Sequence, residues 1–462
     1  MRAVSLSLAL LLVLSAVVGA VPALSDADGA SAPSVDGSTP SAPSVSAPVP
    51  SAAQPTERLI PGGGTPAQVV DENASEAQIN VLGIPPAEST RSTLETEYVE
   101  LGSGLAFSSA TTDAHLATAT AVERIESAET TEARQRYLLQ EVSTVEQRVV
   151  ALRARQQQAV AAYGREELPP RRFLYELALI DAEARELEQR RDRLESLARS
   201  TPGFSISSAR FGNIGLELNT LSGPVRGYAG SVLRGEAASA RFYVQTGADS
   251  VTLGVIRDGT YVRETYREAL RQGDSSGPFS LAEAVNATEQ AYPTIAALRL
   301  RDDTLGNPDS DSTRVTIEHQ RGRLVAFVDS ESQRVFEEYQ YRPLDQIRTG
   351  SSTSAVKDAL NLTAHRTYPG GPVRLQLNST TTGDPVDAQI TVGPAGGRSS
   401  VVGRTGEDGS LWTLAPSGTY QVTAIDGSSV VLLSVEPTAT PSVYGPVNNS
   451  TGSDGTVTTS GF

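Results

Sequence analysis

The most regular pattern of apolar positions lies in residues 112–200 and predicts two long helices. In the first, predicted for residues 112–163, apolar residues step alternately by four and three positions, as in a coiled-coil seam. Gly164, followed by two prolines at positions 169 and 170, marks the connection and the start of the second helix. Because the connection is short, the two helices are expected to pair antiparallel as a coiled-coil hairpin.

The second predicted helix is too short to cover the first along its whole length. Residues 112–131 are therefore expected to pack elsewhere in the chain or against a partner. The hairpin has two interpretations, an intramolecular spacer or an arm that docks a partner, and the second includes a homodimer formed through the hairpin. Glu and Arg dominate the flanking positions, as expected for the solvent-exposed sides of a coiled coil.

A change to alternating patterns after residue 200 predicts an α+β domain over residues 201–348. One predicted helix starts at Ser280, with Glu283 at the position of a capping box. Strands are predicted at residues 213–218, 240–246, 251–258, 261–268, 314–320, 324–329 and 334–341. The helix and the strands that follow it resemble the PepSY family of extracytoplasmic modules, chiefly through the run VTIEHQRGRLVAFVDSESQRVFEEYQ. The resemblance implies a small binding or inhibitory module.

The cleanest alternation of apolar and polar residues covers residues 370–437 and predicts a β-sandwich. Gly383 and Gly418 mark turns, and Trp412 is expected to fill the core. The stretches GDPVDAQITV and PSGTYQV resemble the carboxypeptidase-regulatory-like, transthyretin-like β-sandwich domains. That resemblance implies a non-catalytic domain of the kind found on secreted and surface proteins.

The N-terminal residues predict an exported chain. Residues 1–24 combine one cation, Arg2, with an apolar run and small residues, which is typical of a secretory signal peptide. An uncleaved N-terminal membrane anchor is the alternative, because the apolar run nearly spans a bilayer. The Ser-, Ala- and Pro-rich segment 25–68 is predicted to be a disordered linker.

Three further segments complete the predicted organisation. Residues 69–111 are predicted to be a short ordered segment, with a strand at 79–84 that pairs with the domain after the hairpin. Residues 349–369 are predicted to be a linker containing a short helix. Residues 438–462 are rich in Ser, Thr and Gly and are predicted to be a disordered tail.

The charge composition indicates adaptation to high salt. The chain has 38 Lys and Arg against 54 Asp and Glu, a net charge of −16, and Lys357 is its single Lys. Carboxylates hold water on a surface where salt screens charges over short distances. In this respect the chain resembles secreted multidomain proteins of unknown function from halophilic archaea. It has no basic patch with interleaved aromatic residues, so nucleic-acid binding is not expected.

Little in the sequence suggests catalysis. The chain has no Cys, which excludes disulfides, thiolate nucleophiles and Cys-ligated zinc or iron–sulfur sites. Its three His residues, His115, His319 and His365, lack the spacing of metal ligands, and His319 is expected on the surface. Ser354 and Lys357 match the Ser-x-x-Lys pair of penicillin-recognising enzymes, but the accompanying motif needs a second Lys. No catalytic, cofactor or metal site is therefore predicted.

Two other kinds of site are open. The acidic segment 302–311 partly matches an EF-hand loop, and its interpretations are a solvated loop or a weak Ca²⁺ site. Asn286, in a predicted helix, is the least favoured N-glycosylation acceptor. The sequons favoured as N-glycosylation sites are those of Asn73, Asn361, Asn378, Asn448 and Asn449.

These patterns predict a multidomain α+β protein with a long antiparallel helical hairpin, a central α+β domain and a C-terminal β-sandwich, joined by disordered linkers. The leading hypothesis is a non-enzymatic, extracellular or cell-surface protein that binds a protein or envelope partner. The hairpin is its spacer or docking arm, and the sandwich is an interaction module. The alternative is an inhibitor or regulator of an extracellular hydrolase through the PepSY-like segment. Membrane contact is expected only through an uncleaved N-terminal segment.

Overall fold

The structure, a computed structural model, describes residues 78–98, 100–273, 279–306 and 311–444. It shows a multidomain α+β protein with a layer of helices, a large antiparallel sheet and a C-terminal β-sandwich. The predicted fold class is therefore confirmed. The segments that lie outside the described residues include the predicted signal peptide 1–24, the linker 25–68, most of the predicted tail, and Asn73, Asn448 and Asn449.

Five helices form a layer on one face of the large sheet. They are α1 (Leu101–Glu126), α2 (Thr131–Gly164), α3 (Pro170–Ser200), α4 (Ser208–Leu221) and α5 (Pro224–Leu233). α2 and α3 form the predicted hairpin, and the buried rings of Tyr163 and Phe173 stack at its closed end with centroids 4.5 Å apart. Arg148 pairs with Glu183, whereas Arg155, later in α2, pairs with Glu176, earlier in α3. This order of contacts shows that the two helices are antiparallel.

The first predicted helix is two helices, because the chain turns at residues 127–130. Thr130 is the N-cap of α2, and its side-chain oxygen accepts a hydrogen bond from the Ala133 N–H at 3.2 Å. A Thr at this position satisfies an N–H that a helix start leaves without a partner. The turn folds α1 back onto α3, where Phe107 meets Tyr175 edge to face at 6.1 Å.

The strand predicted at residues 213–218 is wrong, because these residues lie within α4. Phe211, Ile214, Leu218 and Leu221 are all buried. They recur at intervals of three and four residues, which is the spacing of one helix face. The apolar run is short enough to fit a strand as well, so its periodicity does not distinguish the two.

The large sheet is antiparallel throughout, with strand order β1-β2-β3-β4-β8-β7-β6-β5. The strands are β1 (Arg91–Glu97), β2 (Ala240–Thr246), β3 (Ser250–Arg257), β4 (Thr260–Arg267), β5 (Arg299–Leu305), β6 (Ser312–His319), β7 (Gly322–Asp329) and β8 (Val335–Pro343). One face of the sheet packs against the helical layer in a continuous apolar core. The other face packs against α6 (Leu281–Ala291), α7 (Pro293–Ala297) and the sandwich.

A strand from before the helical layer pairs with one from after it, since β1 is hydrogen-bonded to β2 along its whole length. The sequence predicts such pairing but assigns it to residues 79–84. Those residues are largely buried, yet Val81 makes only an isolated parallel bridge to Ser442. The Val443 N–H donates to the Val81 carbonyl oxygen at 3.0 Å, so residues 438–444 of the predicted tail are packed in place.

The predicted start of α6 is confirmed by its capping box. The Ser280 Oγ accepts a hydrogen bond from the Glu283 N–H at 3.2 Å, and the Glu283 carboxylate accepts one from the Ser280 N–H at 2.7 Å. Two N–H groups at the helix start are thereby satisfied. The helix then lays Ala284 and Ala291 onto the apolar side chains of β6, β7 and β8.

The C-terminal domain consists of two four-stranded sheets, in the orders β14-β11-β10-β9 and β13-β12-β15-β16. The strands are β9 (Ser352–Lys357), β10 (Leu360–His365), β11 (Pro372–Ser379), β12 (Gln389–Pro394), β13 (Ser400–Arg404), β14 (Ser410–Leu414), β15 (Tyr420–Asp426) and β16 (Ser429–Val435). Residues 349–369, predicted to be a linker with a short helix, supply β9 and β10 instead. Leu360, Leu362 and Ala364 alternate into the core, which pays the entropy cost of ordering this Ser/Thr-rich stretch.

Trp412 is not the plug of the sandwich core. Its neighbour Leu411 turns towards that core, so Trp412 points the other way and packs, half-buried, near Tyr243 and Tyr261 of the large sheet. The Tyr261 hydroxyl donates to the Gly370 carbonyl oxygen at 2.9 Å. The sandwich is therefore docked on the sheet through aromatic side chains.

A buried ion pair fastens the helical layer to the sheet. Arg226 of α5 donates from Nε to the Glu264 carboxylate of β4 at 2.8 Å and from Nη1 to the Gln156 Oε1 of α2 at 2.7 Å. Glu264 also accepts the Val225 N–H at 2.8 Å and so caps α5. Two helices and a strand thus meet at one pair of charges that water does not reach.

Candidate interaction surface

The outer side of α1 presents an exposed, uncharged stripe of leucine, serine and threonine side chains. It comprises Leu101, Leu105, Ser109, Thr112, Leu116 and Thr120, all exposed, which we call the α1 stripe. At 3.6 residues per turn these six positions fall within about 100° of the helix circumference. Leu101, Leu105 and Leu116 are 76%, 62% and 56% exposed, whereas Phe107 and Ile125 on the opposite side are fully buried.

The α1 stripe lies on the part of α1, residues 101–120, that is nearly free of charge. Asp113 is the only Asp, Glu, Lys or Arg between positions 101 and 120, in a chain of which 20% of residues are charged. His115, beside the stripe, lies 3.5 Å from Glu186 of α3. The solvent-facing sides of α2 and α3 instead carry many Arg and Glu residues, paired as in Arg172–Glu176. Depletion of charge around exposed apolar side chains is typical of protein-binding surfaces.

A groove runs beside the stripe, between α1 and the α2–α3 hairpin. Its volume is about 710 Å³, and α1 contributes small side chains to it, including Ala110, Ala114 and Ala117. The hairpin contributes charged side chains that are already paired, among them Arg148 with Glu183. The Ala side chains leave the groove open because they do not reach the hairpin, so it has room for side chains of a bound segment.

Of the two expectations for residues 112–131, packing elsewhere in the chain is met on the inner side of α1, and contact with a partner remains a prediction for its outer side. The inner side packs on α3, where the Arg190 Nε donates to the Thr118 Oγ1 at 3.1 Å. The outer side begins before the predicted helix start, at Leu101. The sequence does contain the signal for this, since the run from position 101 to 120 combines three leucines with a single charge.

The three His residues lie on separate elements, α1, β6 and β10. His319 is buried, contrary to the prediction that it faces solvent, because it lies on the same face of β6 as the buried Val315 and Ile317. Burial and the nearby Arg342 and Arg321 lower the pKa of His319 to about 4, so its ring is neutral at pH 7. Burial, with Arg374 nearby, also lowers the pKa of His365. The described residues contain no cluster of three or more His, Asp or Glu side chains that could hold a metal ion.

The Ser-x-x-Lys match does not form a pair. Ser354 and Lys357 both lie on β9, three positions apart, and a strand turns such residues to opposite sides. The acidic segment also differs from a loop, since Asp302 and Asp303 belong to β5 and are paired with β6. Residues 307–310 lie outside the described residues, and Ca²⁺ binding remains an open prediction.

Two of the sequons predicted to carry glycans face each other. Asn361 on β10 is directly opposite Asn378 on β11, and both are half-buried. Asn286, the least favoured by sequence, is an exposed residue of α6. Glycosylation of these residues remains a prediction.

The fold is that of a multidomain protein, and three family models divide the chain along the same lines. An archaeal fibronectin-III type-like domain matches residues 351–433, which is the sandwich. A family of unknown function (DUF7094) matches residues 242–348, which contain most of β2 and all of β3 to β8. A domain of unknown function (DUF7096) matches residues 1–238, which contain β1 and the helical layer.

The chain belongs to the DUF7096 family, because that model covers 238 of its 462 residues. It is thus an archaeal multidomain protein, and its domains fit a non-enzymatic interaction protein. The finer resemblances to carboxypeptidase-regulatory-like and PepSY modules remain predictions, since the matching models describe other families. No curated protein and no solved structure matches the chain. Among the described residues, no helix has the length and apolar character needed to cross a membrane.

Proposed function

We propose that the protein is an exported, non-enzymatic component of the cell surface or envelope that docks a protein partner through the α1 stripe. The sandwich serves as a further interaction module, and its position is fixed by its contacts with the large sheet. The chain is proposed to reach the outside through the signal at residues 1–24 and to carry N-linked glycans there. The observation that carries the docking role is the exposure of three leucines on a helix with a single charge over 20 positions.

The hydration of the α1 stripe favours its burial against a partner. Exposed leucines on a helix leave apolar area in water, and burial of each one against a partner is favourable. The stretch of α1 that carries the stripe, residues 101–120, lacks the paired Arg and Glu residues that keep its neighbours α2 and α3 solvated. A partner that covers the α1 stripe therefore removes apolar surface from water without stripping water from charged groups.

The test is to place a charge on the stripe without disturbing the core. In Leu105→Glu and Leu116→Glu the new carboxylate lies at an exposed position, so folding should be retained. We expect both variants to lose their association with cell or envelope fractions at high salt. Leu432→Glu, at a leucine of β16 that is 49% exposed, is the matched control and should associate as the parent chain does. Undiminished association of both stripe variants would refute the docking role.

The alternative function, regulation of an extracellular hydrolase, has one observation in its favour. β5 is an exposed edge strand of the large sheet, and its Leu300 is 67% exposed. An exposed edge strand can bind an extended peptide, which adds to the sheet as a further strand. Inhibition of an extracellular protease by the full chain, and its loss in Leu300→Asp, would support this function. Protease activity unaffected by the full chain would exclude it for that enzyme.

A further inference from the structure

We infer that the partner of the α1 stripe is a second copy of this chain, with the two α1 helices packed antiparallel about a twofold axis. The inference rests on the proposed docking role of α1 and gives that role its partner, so the stripe variants are expected to lose envelope association because they lose the dimer. Homodimers commonly use such isologous interfaces, in which one patch meets itself and each contact occurs twice. The α1 stripe has the composition and the symmetry that this arrangement needs.

The symmetry lies in the spacing of the stripe. A twofold axis between positions 110 and 111 sets Leu105 against Leu116 of the second copy. The same axis sets Ser109 against Thr112 of the second copy and Leu101 against Thr120 of the second copy. All six stripe residues are thus used in three kinds of contact, each made twice. Near the axis the stripe has only the small residues Ser109 and Thr112, so the helices can approach closely at the centre.

Charge selects this partner over a different surface of the same protein. Each copy carries a net charge of −16, so two copies repel unless they meet through an uncharged face. The exposed sides of α2 and α3 carry Arg and Glu residues, and placing either against the leucines would strip water from those groups. A second α1 stripe presents Leu116 to Leu105, Thr112 to Ser109 and Thr120 to Leu101, and it desolvates no ion pair.

Asp113 gives the dimer a salt dependence. It lies beside the stripe, and the two copies of Asp113 are about 7.5 Å apart along the helix axis in the antiparallel arrangement. Their repulsion is screened at molar salt, where the Debye length is about 3 Å. Dimerisation should therefore strengthen as salt is raised, and Asp113→Asn should dimerise at lower salt than the parent chain.

The absence of Cys makes the geometry directly testable, because any introduced thiol is the only one in the chain. Leu105→Cys and Leu116→Cys are prepared as two separate full-length variants. In the antiparallel dimer, position 105 faces position 116 of the second copy. The two copies of position 105 are separated by 11 residues, or about 16 Å along the helix, which is beyond disulfide reach. Mixing the variants under mild oxidation should give a covalent dimer, whereas neither variant alone should.

The outcomes separate this inference from the proposed function. A disulfide dimer in the mixture, and a doubled mass for the parent chain by light scattering, support the antiparallel pairing. A covalent dimer from Leu105→Cys alone would indicate parallel pairing and overturn the geometry. A parent chain that stays monomeric at all salt concentrations would overturn the inference, while loss of envelope association in Leu116→Glu would still support docking to another protein. Leu432→Cys mixed with Leu105→Cys is the control and should not cross-link.

Discussion

Removal of Arg226 should destabilise the protein strongly, because it leaves a buried carboxylate without its counter-charge. Arg226 and Glu264 are almost fully buried, and their side chains are joined at 2.8 Å. In Arg226→Met the apolar side chain fills much of the space, but Glu264 keeps its negative charge away from water. Breaking one side of such a pair costs about 3–5 kcal/mol. Loss of the bond to Gln156 adds to the cost by leaving that amide oxygen without its donor.

The double variant Arg226→Met with Glu264→Gln separates the cost of the unpaired charge from the cost of the changed packing. Its neutral amide can still accept the Val225 N–H, so the cap of α5 is kept. We expect the double variant to recover most of the lost stability, since an ion pair replaced by matched neutral groups is often close to neutral.

The assay is equilibrium unfolding by denaturant at constant salt, followed by circular dichroism for the helices. Fluorescence of the single Trp412 reports the contact between the sandwich and the sheet. Arg404→Met is the control, since Arg404 forms an exposed ion pair with Asp387 and its loss should change the midpoint little. An unchanged midpoint in Arg226→Met, or a double variant as unstable as the single one, would refute the reasoning.

Three further predictions concern single groups in the large sheet. Burial raises the pKa of Glu337 well above 4.5, so the folded state holds this proton more tightly than the unfolded state does. The free energy of unfolding should therefore fall as pH rises from about 4.5 through the raised pKa. Glu337→Gln should abolish that fall when unfolding is measured as a function of pH. Burial lowers the pKa of His319 to about 4 from 6.5, so stability should be lost as pH falls across that window, and His319→Gln should remove this loss. Gly322 has φ +136°, and a Cβ there would lie 2.0 Å from the Tyr341 carbonyl oxygen. Gly322→Ala should therefore lower the free energy of unfolding by about 2 kcal/mol or more, measured by thermal unfolding. A melting temperature equal to that of the parent chain would contradict the clash.

Local patterns in the sequence were enough to predict the elements that are specified by residues close together in the chain. The α2–α3 hairpin follows from apolar spacing that recurs over many turns, and the start of α6 follows from Ser280 and Glu283. Such signals need no information from distant parts of the chain. For the same reason the alternating strands of the sandwich after residue 370 were predicted correctly in kind.

The errors arise where the outcome depends on tertiary contacts. The turn at residues 127–130 contains no Gly or Pro, and Thr130 is recognisable as a cap only once α1 is seen to fold back. β9 and β10 consist largely of Ser, Thr and small apolar residues, and they are ordered because β11 and the opposing sheet bury one side of them. The sequence shows the charge-poor run with three leucines at positions 101–120, but which side of it is exposed depends on the packing of α1 on α3.

The pairing of β1 with β2 has a consequence for how the chain can acquire its structure. β1 is made before the helices, but its hydrogen-bonding partner follows α5, so about 140 residues must be in place before the two strands can join. Contacts of such high sequence separation slow folding, because a large loop must close first. The stretch matched by the DUF7096 model ends at residue 238, just short of β2, and by itself it would leave β1 as an unpaired strand edge. We therefore expect the helical layer and the following strands to fold as one cooperative unit, although two family models describe them separately.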